Sequence, residues 1–152
     1  MSGKCCTFLG HRQCPDCIRP LLKCCLENLI VNDDVTVFYV GNQGAFDSMV
    51  RSVLRDLVKQ YTGIVYAVVL AYLPPEQKED YAQYQDYADT MYPEGIETVP
   101  KRFAIDWRNR WLLKQADYVV TYITHSWGGA AKFAEKATKS GKQVINLAIT
   151  GE

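Results

Sequence analysis

His11 and His125 are the two histidines of the 152-residue chain, and both follow short apolar segments. An imidazole titrates near neutral pH and serves as an acid, a base or a ligand, so both are candidates for a functional site. Gly10 ends the first apolar segment, and Arg12 adds a guanidinium suited to phosphate or carboxylate. The alternative interpretation is that both histidines are ordinary surface or packing residues.

The segment after the second histidine has the composition of an anion-binding turn. Ser126 and Trp127 precede Gly128, and a helical pattern begins at Gly129 and Ala130. The first amide N–H groups of a helix have no partner within it, and the helix dipole favours negative charge there. We therefore expect an anion at this turn. The alternative is that the glycines only ease a change from strand to helix.

A second polar loop follows the β-branched and aromatic run 35–40. It consists of Gly41, Asn42, Gln43 and Gly44, and Asp47 comes shortly after it. Glycine permits tight backbone conformations, and amide side chains both donate and accept hydrogen bonds. We interpret the loop as a reader of a base or a ribose. A hairpin-like turn is the alternative, although a helical pattern rather than a strand follows.

A third polar group lies on a predicted helix, 104–115, where Arg108 and Asn109 stand between two tryptophans. A guanidinium at this place is suited to a phosphate, and an indole to stacking on a base. Helical spacing predicts that Trp111 packs in the core. A solvated helix face also carries arginine and asparagine, so for these two residues both interpretations stay open.

The six cysteines all fall within the first sixth of the chain. This clustering is a poor framework for disulfides, so we expect reduced thiols that pack in or beside a helix. Cys14 and Cys17 have the spacing of a redox or zinc half-site. No second CxxC pair and no paired histidines follow at metal-site spacing, so we expect no metal, with a redox or metal role as the alternative.

Apolar periodicity predicts alternating strands and helices. The strands are 5–9, 35–40, 64–71, 117–123 and 143–147, and the helices are 15–31, 46–61, 104–115 and 129–140. Residues 64–71 are apolar throughout, as in a strand that helices cover on both faces, and we expect this strand in the core of the sheet. The alternation predicts an α/β fold: a three-layer Rossmann-like sandwich with a five-stranded parallel sheet of order 3-2-1-4-5 and a long insertion after strand 3.

This strand order predicts where a ligand binds. In open α/β sheets the crevice lies beyond the carboxyl ends of the strands, where the winding reverses, here between strands 1 and 4. The loops at that point are 10–12 and 124–129, which contain both histidines.

Residues 72–103 form a long insertion that is acidic and rich in tyrosine. Insertions of this length are lids, partner surfaces or mobile segments. The insertion leaves strand 3 at the same edge as the polar loops, so it is able to close over the crevice. A solvated excursion and an oligomer contact are the alternatives.

Bulk composition limits the class of protein. The chain is 48% hydrophobic and has 17 basic and 17 acidic residues. Its length suits a single domain over 1–152, and its balanced charge gives no reason to expect nucleic acid or an acidic membrane. The first nine residues lack the features of a signal peptide, and the longest nearly apolar run, 64–73, is too short for a bilayer. We expect a cytoplasmic protein.

Four motifs occur along the chain in a fixed order: 7–12, 41–44 followed by Phe46 and Asp47, 108–110, and 128–131. Together they resemble the SLOG superfamily of Rossmann-like proteins, which includes the DprA and LOG branches, and most closely its YpsA-like members. The resemblance covers nearly the whole chain. It implies a Rossmann-like sheet, a nucleotide-derived ligand and self-association as a dimer or a higher oligomer.

LOG enzymes remove the base from cytokinin nucleotides. Their motif has a proline, paired glycines, a glycine-threonine pair and a catalytic glutamate, with an essential arginine on the preceding helix. In this resemblance Gly128 and Gly129 match the paired glycines, Glu135 the glutamate and Arg108 the arginine. The proline and the glycine-threonine pair are missing, which removes phosphate contacts and argues against this activity more than against binding.

The sequence favours a non-catalytic sensor, carrier or sponge for a nucleotide or nucleotide-derived small molecule, because the candidate site has binding groups and no activated nucleophile. The first alternative is a nucleoside 5′-monophosphate phosphoribohydrolase. In it Glu135 acts on the ribose or on water, and Arg108 steadies the phosphate. The second alternative is a protein-interaction module that uses the acidic insertion.

Overall fold

The computed structural model of the protein describes residues 3–71 and 90–150. The strands are β1 (Lys4–Gly10), β2 (Val35–Val40), β3 (Val65–Val69), β4 (Thr90–Met91), β5 (Tyr118–Tyr122) and β6 (Gln143–Asn146). The helices are α1 (Arg19–Asn32), α2 (Gly44–Gln60), α3 (Lys101–Gln115), α4 (Gly129–Lys139) and the short α5 (Leu147–Thr150). Single 3-10 turns, Asp16–Ile18 and Ile96–Thr98, precede α1 and α3.

The six strands form one parallel sheet of order β4-β3-β2-β1-β5-β6. The α/β class and the parallel sheet are confirmed. The prediction of five strands in the order 3-2-1-4-5 was wrong, because Thr90–Met91 adds an edge strand beside β3. A strand of two residues has no periodicity that a sequence pattern reveals. β1 lies between β2 and β5, so the winding reverses at β1.

Two apolar cores lie on opposite faces of the sheet. Phe8 belongs to the larger core, which also contains the buried leucines of α1 and α2. The next residue, Leu9, belongs to the smaller core with Leu113 of α3 and Phe133 of α4. Successive residues of a strand point to opposite faces, so helices cover the sheet on both sides in three layers.

The local sequence explains where the main helices form. Pro20 lies in the first turn of α1, where no backbone N–H is needed, and Leu22, Leu26 and Leu29 then follow on one buried face. α2 buries seven residues along its inner side. Each fully buried leucine or phenylalanine contributes about 1.5–3 kcal/mol relative to an exposed position.

β3 differs from its prediction as a strand buried in the core of the sheet. Val65 at its start is 60% exposed, whereas Val68 and Val69 at its end are buried. The edge strand β4 pairs only with those last two residues, which leaves the first half of β3 at the edge of the sheet. The uniform apolar pattern of residues 64–71 therefore does not mark the centre of the sheet.

Several predicted boundaries also moved. The helix predicted at 104–115 begins at Lys101, directly after Pro100, and α5 at Leu147–Thr150 was not predicted. Of the predicted insertion 72–103, residues 72–89 lie outside the described residues, and so does the lid prediction for them. Within 3–71 and 90–150, no helix has the length and apolar character needed to cross a membrane.

Candidate functional site

A cleft of about 560 Å³ opens beyond the carboxyl ends of β1 and β2, where the winding reverses. This volume is in the range of small-molecule sites. The structure brings thirteen of the sixteen residues predicted to bind a ligand to its lining: Gly10, His11, Arg12, Gly41, Gln43, Asp47, Arg108, Asn109, His125, Trp127, Gly128, Gly129 and Ala130.

The other three predicted ligand-binding residues lie beside the cleft rather than in its lining. Asn42 turns its side-chain oxygen toward Arg108. Gly44 lies against the backbone of Arg12, at the start of α2. Ser126 is exposed in the loop between the second histidine and α4.

Sequence reasoning missed the apolar floor of the cleft. Phe8 and Leu9 of β1 and Ile105 and Leu112 of α3 line it together with Gln13. The two α3 residues lie three positions before and four positions after the arginine of that helix, so they share one helical face with it. This spacing was the available signal, since it marks the face that α3 turns toward the cleft.

Three aromatic rings form a stack at the mouth of the cleft. The ring centroids of His11 and His125 are 3.8 Å apart at 13°, and those of His125 and Trp127 are 3.8 Å apart at 18°. His125 is therefore held between the other two rings. The indole of Trp127 is 69% exposed, which leaves its outer face to solvent.

Hydrogen bonds fix the orientation of both imidazoles. Nε2 of His11 accepts a bond of 2.9 Å from the backbone N–H of Thr124. Nδ1 of His125 lies 2.9 Å from the backbone oxygen of Trp127, an acceptor, so this nitrogen carries a proton. Partial burial, and then the neighbouring His125, lower the pKa of His11. His11 is therefore a neutral acceptor in this arrangement.

Arg108 is 2% exposed and ties three segments together. Its Nη1 donates to the backbone oxygen of Val69 at 2.9 Å and to Oδ1 of Asn42 at 3.4 Å. Its Nε donates to Oδ1 of Asn109 at 2.9 Å. The arginine thus supplies fixed positive charge to the wall of the cleft. It does not lie on a solvated helix face.

Asp47 and Arg108 both approach the place that a Cβ atom of residue 41 would occupy. A Cβ atom on Gly41 would lie 2.8 Å from Oδ2 of Asp47 and 2.9 Å from Nη1 of Arg108. Oδ2 also accepts the backbone N–H of Gln43 at 3.0 Å. Burial raises the pKa of Asp47, while Arg108, the Gln43 N–H and Arg51 act in the opposite direction. Only glycine fits between the two charged groups.

The backbone of Arg12 is fixed and its side chain is exposed. Its carbonyl accepts the N–H of Ala45 at 2.7 Å, at the start of α2. Gly44 has a φ of +88°, and a Cβ on it would lie 2.7 Å from Cα of Arg12. These contacts hold the loop after β1 against α2. The Arg12 guanidinium therefore borders the cleft from a backbone whose position is fixed.

The first turn of α4 borders the same cleft. Gly128, in front of the helix, has a φ of +97°, and no side chain in the described residues caps the helix at this end. A Cβ atom on Gly129 would have no atom of the described residues within 4 Å, apart from its own helix and chain neighbours. The free amide N–H groups and the helix dipole make this turn suited to an anion.

Glu135, the candidate catalytic glutamate, is not among the described residues that line the cleft. Its exposed carboxylate pairs with Lys139 at 3.0 Å on the outer surface of α4. Trp111 is partly buried, and its ring lies 5.3 Å from that of Tyr39. It packs against a residue of β2 and is not fully buried in the core, where its helical spacing had predicted it.

The six cysteines lie within the described residues, and all are free thiols. Burial raises the pKa of Cys5 to about 12 and that of Cys25 to about 11, so both thiols stay protonated. Among the residues that the structure describes, no three side chains of the metal-binding types come together.

No protein-family model and no curated protein matches the chain. A solved structure, DNA processing protein A (DprA) from Streptococcus pneumoniae, matches it with a TM-score of 0.65 and 16% sequence identity. The match covers 93% of this chain and 49% of that chain, so the present chain spans about half the length of DprA. At this identity the similarity shows the fold alone. The protein has a DprA-like Rossmann fold, and this part of the SLOG resemblance is confirmed.

Proposed function

We propose that the protein is a non-catalytic sensor, carrier or sponge that binds a nucleotide or nucleotide-derived small molecule in the cleft. The main observation in support is that Arg12 and the first turn of α4, which no described side chain caps, border the same cleft. This cleft lies where the winding of the sheet reverses. We further propose that the chain belongs to the YpsA-like branch of the SLOG superfamily and self-associates, as its motifs imply.

The anionic part of the ligand belongs between Arg12 and α4. An exposed guanidinium offers paired donors to a phosphate, and backbone N–H groups at Gly129 and Ala130 add donors of fixed direction. The described contacts give the Arg12 side chain no carboxylate partner. Its charge is therefore available to the ligand at little cost in lost interactions.

The remaining parts of a nucleotide have matching groups in the same cleft. Asp47 and Gln43 offer an oxygen acceptor and an amide for ribose hydroxyls. Ile105 and Leu112 supply an apolar surface, and the outer face of Trp127 offers a platform for a base. This combination of an apolar floor with a few directed polar groups is typical of ligand sites.

Binding without catalysis is favoured by the positions of the carboxyl groups. Asp47 is the one acidic residue among the described residues that line the cleft, and the Gln43 N–H and the nearby charge of Arg108 hold it in place. Glu135 points away and pairs with Lys139. A hydrolase needs a base within reach of its water or substrate, so the phosphoribohydrolase remains the weaker proposal.

A small molecule fits this chain better than DNA. The name of DprA states DNA processing, but the present chain spans about half of that protein. It also has equal numbers of acidic and basic residues, whereas proteins that bind nucleic acid concentrate positive charge.

A thermal-shift screen of ribonucleoside mono-, di- and triphosphates tests the proposal. A ligand at about 100 times its Kd stabilises the folded state by about 2.7 kcal/mol, which raises the Tm by roughly 5–10 °C here. Arg12→Ala removes this shift, while Arg55→Ala, an exposed arginine on α2, retains it. If no nucleotide shifts the wild-type Tm, the proposal fails.

Ala130→Asp separates loss of binding from loss of folding. A carboxylate in the first turn of α4 stabilises the helix by about 0.3–1 kcal/mol through the helix dipole. It also repels an anionic ligand, so the variant is expected to be as stable as the wild type or more stable, and not to respond to nucleotide. Chromatography of the mixtures detects released base, and its appearance would favour the hydrolase instead.

A further inference from the structure

A second cavity, of about 540 Å³, adjoins the cleft at the paired histidines. His11, Gln13 and His125 line both cavities. The rest of its lining comes from the loop after β1 and from the end of β5, with Tyr122 and Thr124 on the β5 side. The two histidine rings therefore form a wall with a cavity on each side.

The second cavity lies beside the layer formed by α1 and α2. Tyr122 and Cys14, which line the second cavity, pack against the core formed with α1 and α2, and the Tyr122 ring lies 6.3 Å from that of Phe46. The cleft is lined by residues of α3 and α4 and also by Asp47 of α2. A ligand long enough to pass the histidine wall would contact the linings of both cavities.

The second cavity differs from the cleft in charge. Its described lining contains the hydroxyls of Tyr122 and Thr124, the amide of Gln13, two imidazoles and a thiol, but no carboxylate, ammonium or guanidinium. Burial, and then Cys17 and Asp16, raise the pKa of the Cys14 thiol, which therefore stays neutral. Such a lining favours a neutral group with several hydrogen-bonding atoms.

We infer that the ligand is a two-part nucleotide conjugate whose phosphate-bearing part lies in the cleft and whose neutral nucleoside part lies in the second cavity. This inference rests on the proposed function and narrows its ligand class. Gln13 borders both cavities, and the linkage between the two parts passes beside it. A mononucleotide would fill only one of the two spaces.

Calorimetric titration of ribonucleoside 5′-monophosphates and of the matching symmetric dinucleoside diphosphates tests the inference. Linking two parts that bind adjacent sites raises affinity, so we expect the dinucleoside compound to bind at least about tenfold more tightly. Thr124→Phe fills the second cavity from an exposed position and keeps the backbone N–H that holds His11. It is expected to lower the dinucleoside affinity to that of the mononucleotide, which itself does not change.

Two controls keep the result interpretable. Thr62→Phe makes the same change at an exposed turn outside the lining of either cavity. This variant should still bind the dinucleoside compound more tightly than the mononucleotide. Tyr122→Phe removes one hydroxyl and lowers only the dinucleoside affinity, which supports the inference even if Thr124→Phe folds poorly. Equal affinity for both compounds in the wild type, or a preference unchanged in both cavity variants, overturns the inference while the proposed function stands. Failure of every nucleotide to bind overturns both.

Discussion

Arg108→Met replaces a buried guanidinium with a shorter, unbranched apolar side chain that donates no hydrogen bonds. In the wild type the guanidinium is 2% exposed and donates to Val69 and Asn42. It also supplies the largest favourable charge that opposes the effect of burial on Asp47. The substitution therefore removes one donor from each of these oxygens and leaves a buried carboxylate without this charge.

The magnitude follows from this burial. Breaking a buried charge pair by removing one partner typically costs about 3–5 kcal/mol of unfolding free energy. A domain of this size changes its Tm by about 2–4 °C per kcal/mol. We expect urea titrations of Arg108→Met to show a loss of about 3–5 kcal/mol and calorimetry to show a Tm lower by roughly 10 °C.

Two variants on the same framework provide the comparison. Arg110→Met removes an exposed arginine whose ion pair with Asp106, at 3.0 Å, lies on the outside of α3, and it is expected to cost less than about 1 kcal/mol. Asp47→Asn removes the buried charge and keeps an oxygen for the Gln43 N–H. Combined with Arg108→Met, it should lose less than the two single effects together. Strict additivity, or a cost of Arg108→Met below about 1 kcal/mol, would refute the reasoning.

The stability loss of Arg108→Met also depends on pH. Burial raises the pKa of Asp47, so the folded state takes up a proton at a higher pH than the unfolded state. The stability from this proton is present below the unfolded pKa and is lost as pH rises through the folded pKa. Without Arg108 the folded pKa rises further. The difference in unfolding free energy between the wild type and Arg108→Met should therefore shrink as pH is lowered through the folded pKa of Asp47.

Three further changes are expected to separate packing, titration and surface charge. Gly10→Ala places a Cβ 2.2 Å from the ring of Phe46 and should lower the free energy of unfolding in urea by about 1–3 kcal/mol. Gly129→Ala, whose Cβ meets no neighbouring atom, should change it by less than about 0.5 kcal/mol. Equal effects of the two substitutions would contradict the packing argument. The pKa of His11 is lower in the folded protein than in the unfolded chain. Its contribution to stability is therefore present above about pH 6.5 and is lost as pH falls through the folded pKa. His11→Gln should accordingly flatten the pH dependence of the Tm below about pH 6.5. An unchanged slope would assign that dependence to other groups. Glu135→Gln removes an exposed ion pair and should change the free energy of unfolding by less than about 1 kcal/mol. Calorimetry should show unchanged nucleotide affinity. A loss of binding would show that Glu135 belongs to the site.

The sequence predicted elements whose signals are local. Residues 35–40 form β2 with the predicted bounds, because a β-branched and aromatic run between turn residues is a strand signal in itself. The alternation of strands and helices restricts the topology, and this placed His11 and His125 at one crevice. The edge strand β4 was missed, because two residues contain no pattern and pair only where β3 is already in place.

Side-chain direction was decided by the tertiary structure. Helix rotation explains Glu135, since six residues after Gly129 amount to roughly 240° of turn and face the outer surface. The burial of Arg108 depends on Val69 and Asn42, which are distant in sequence. The stack of His11, His125 and Trp127 likewise joins two loops that meet only in the folded sheet. Residue types and their order along the chain therefore determined the fold class and the place of the cleft, while the packing of distant segments determined which groups face it.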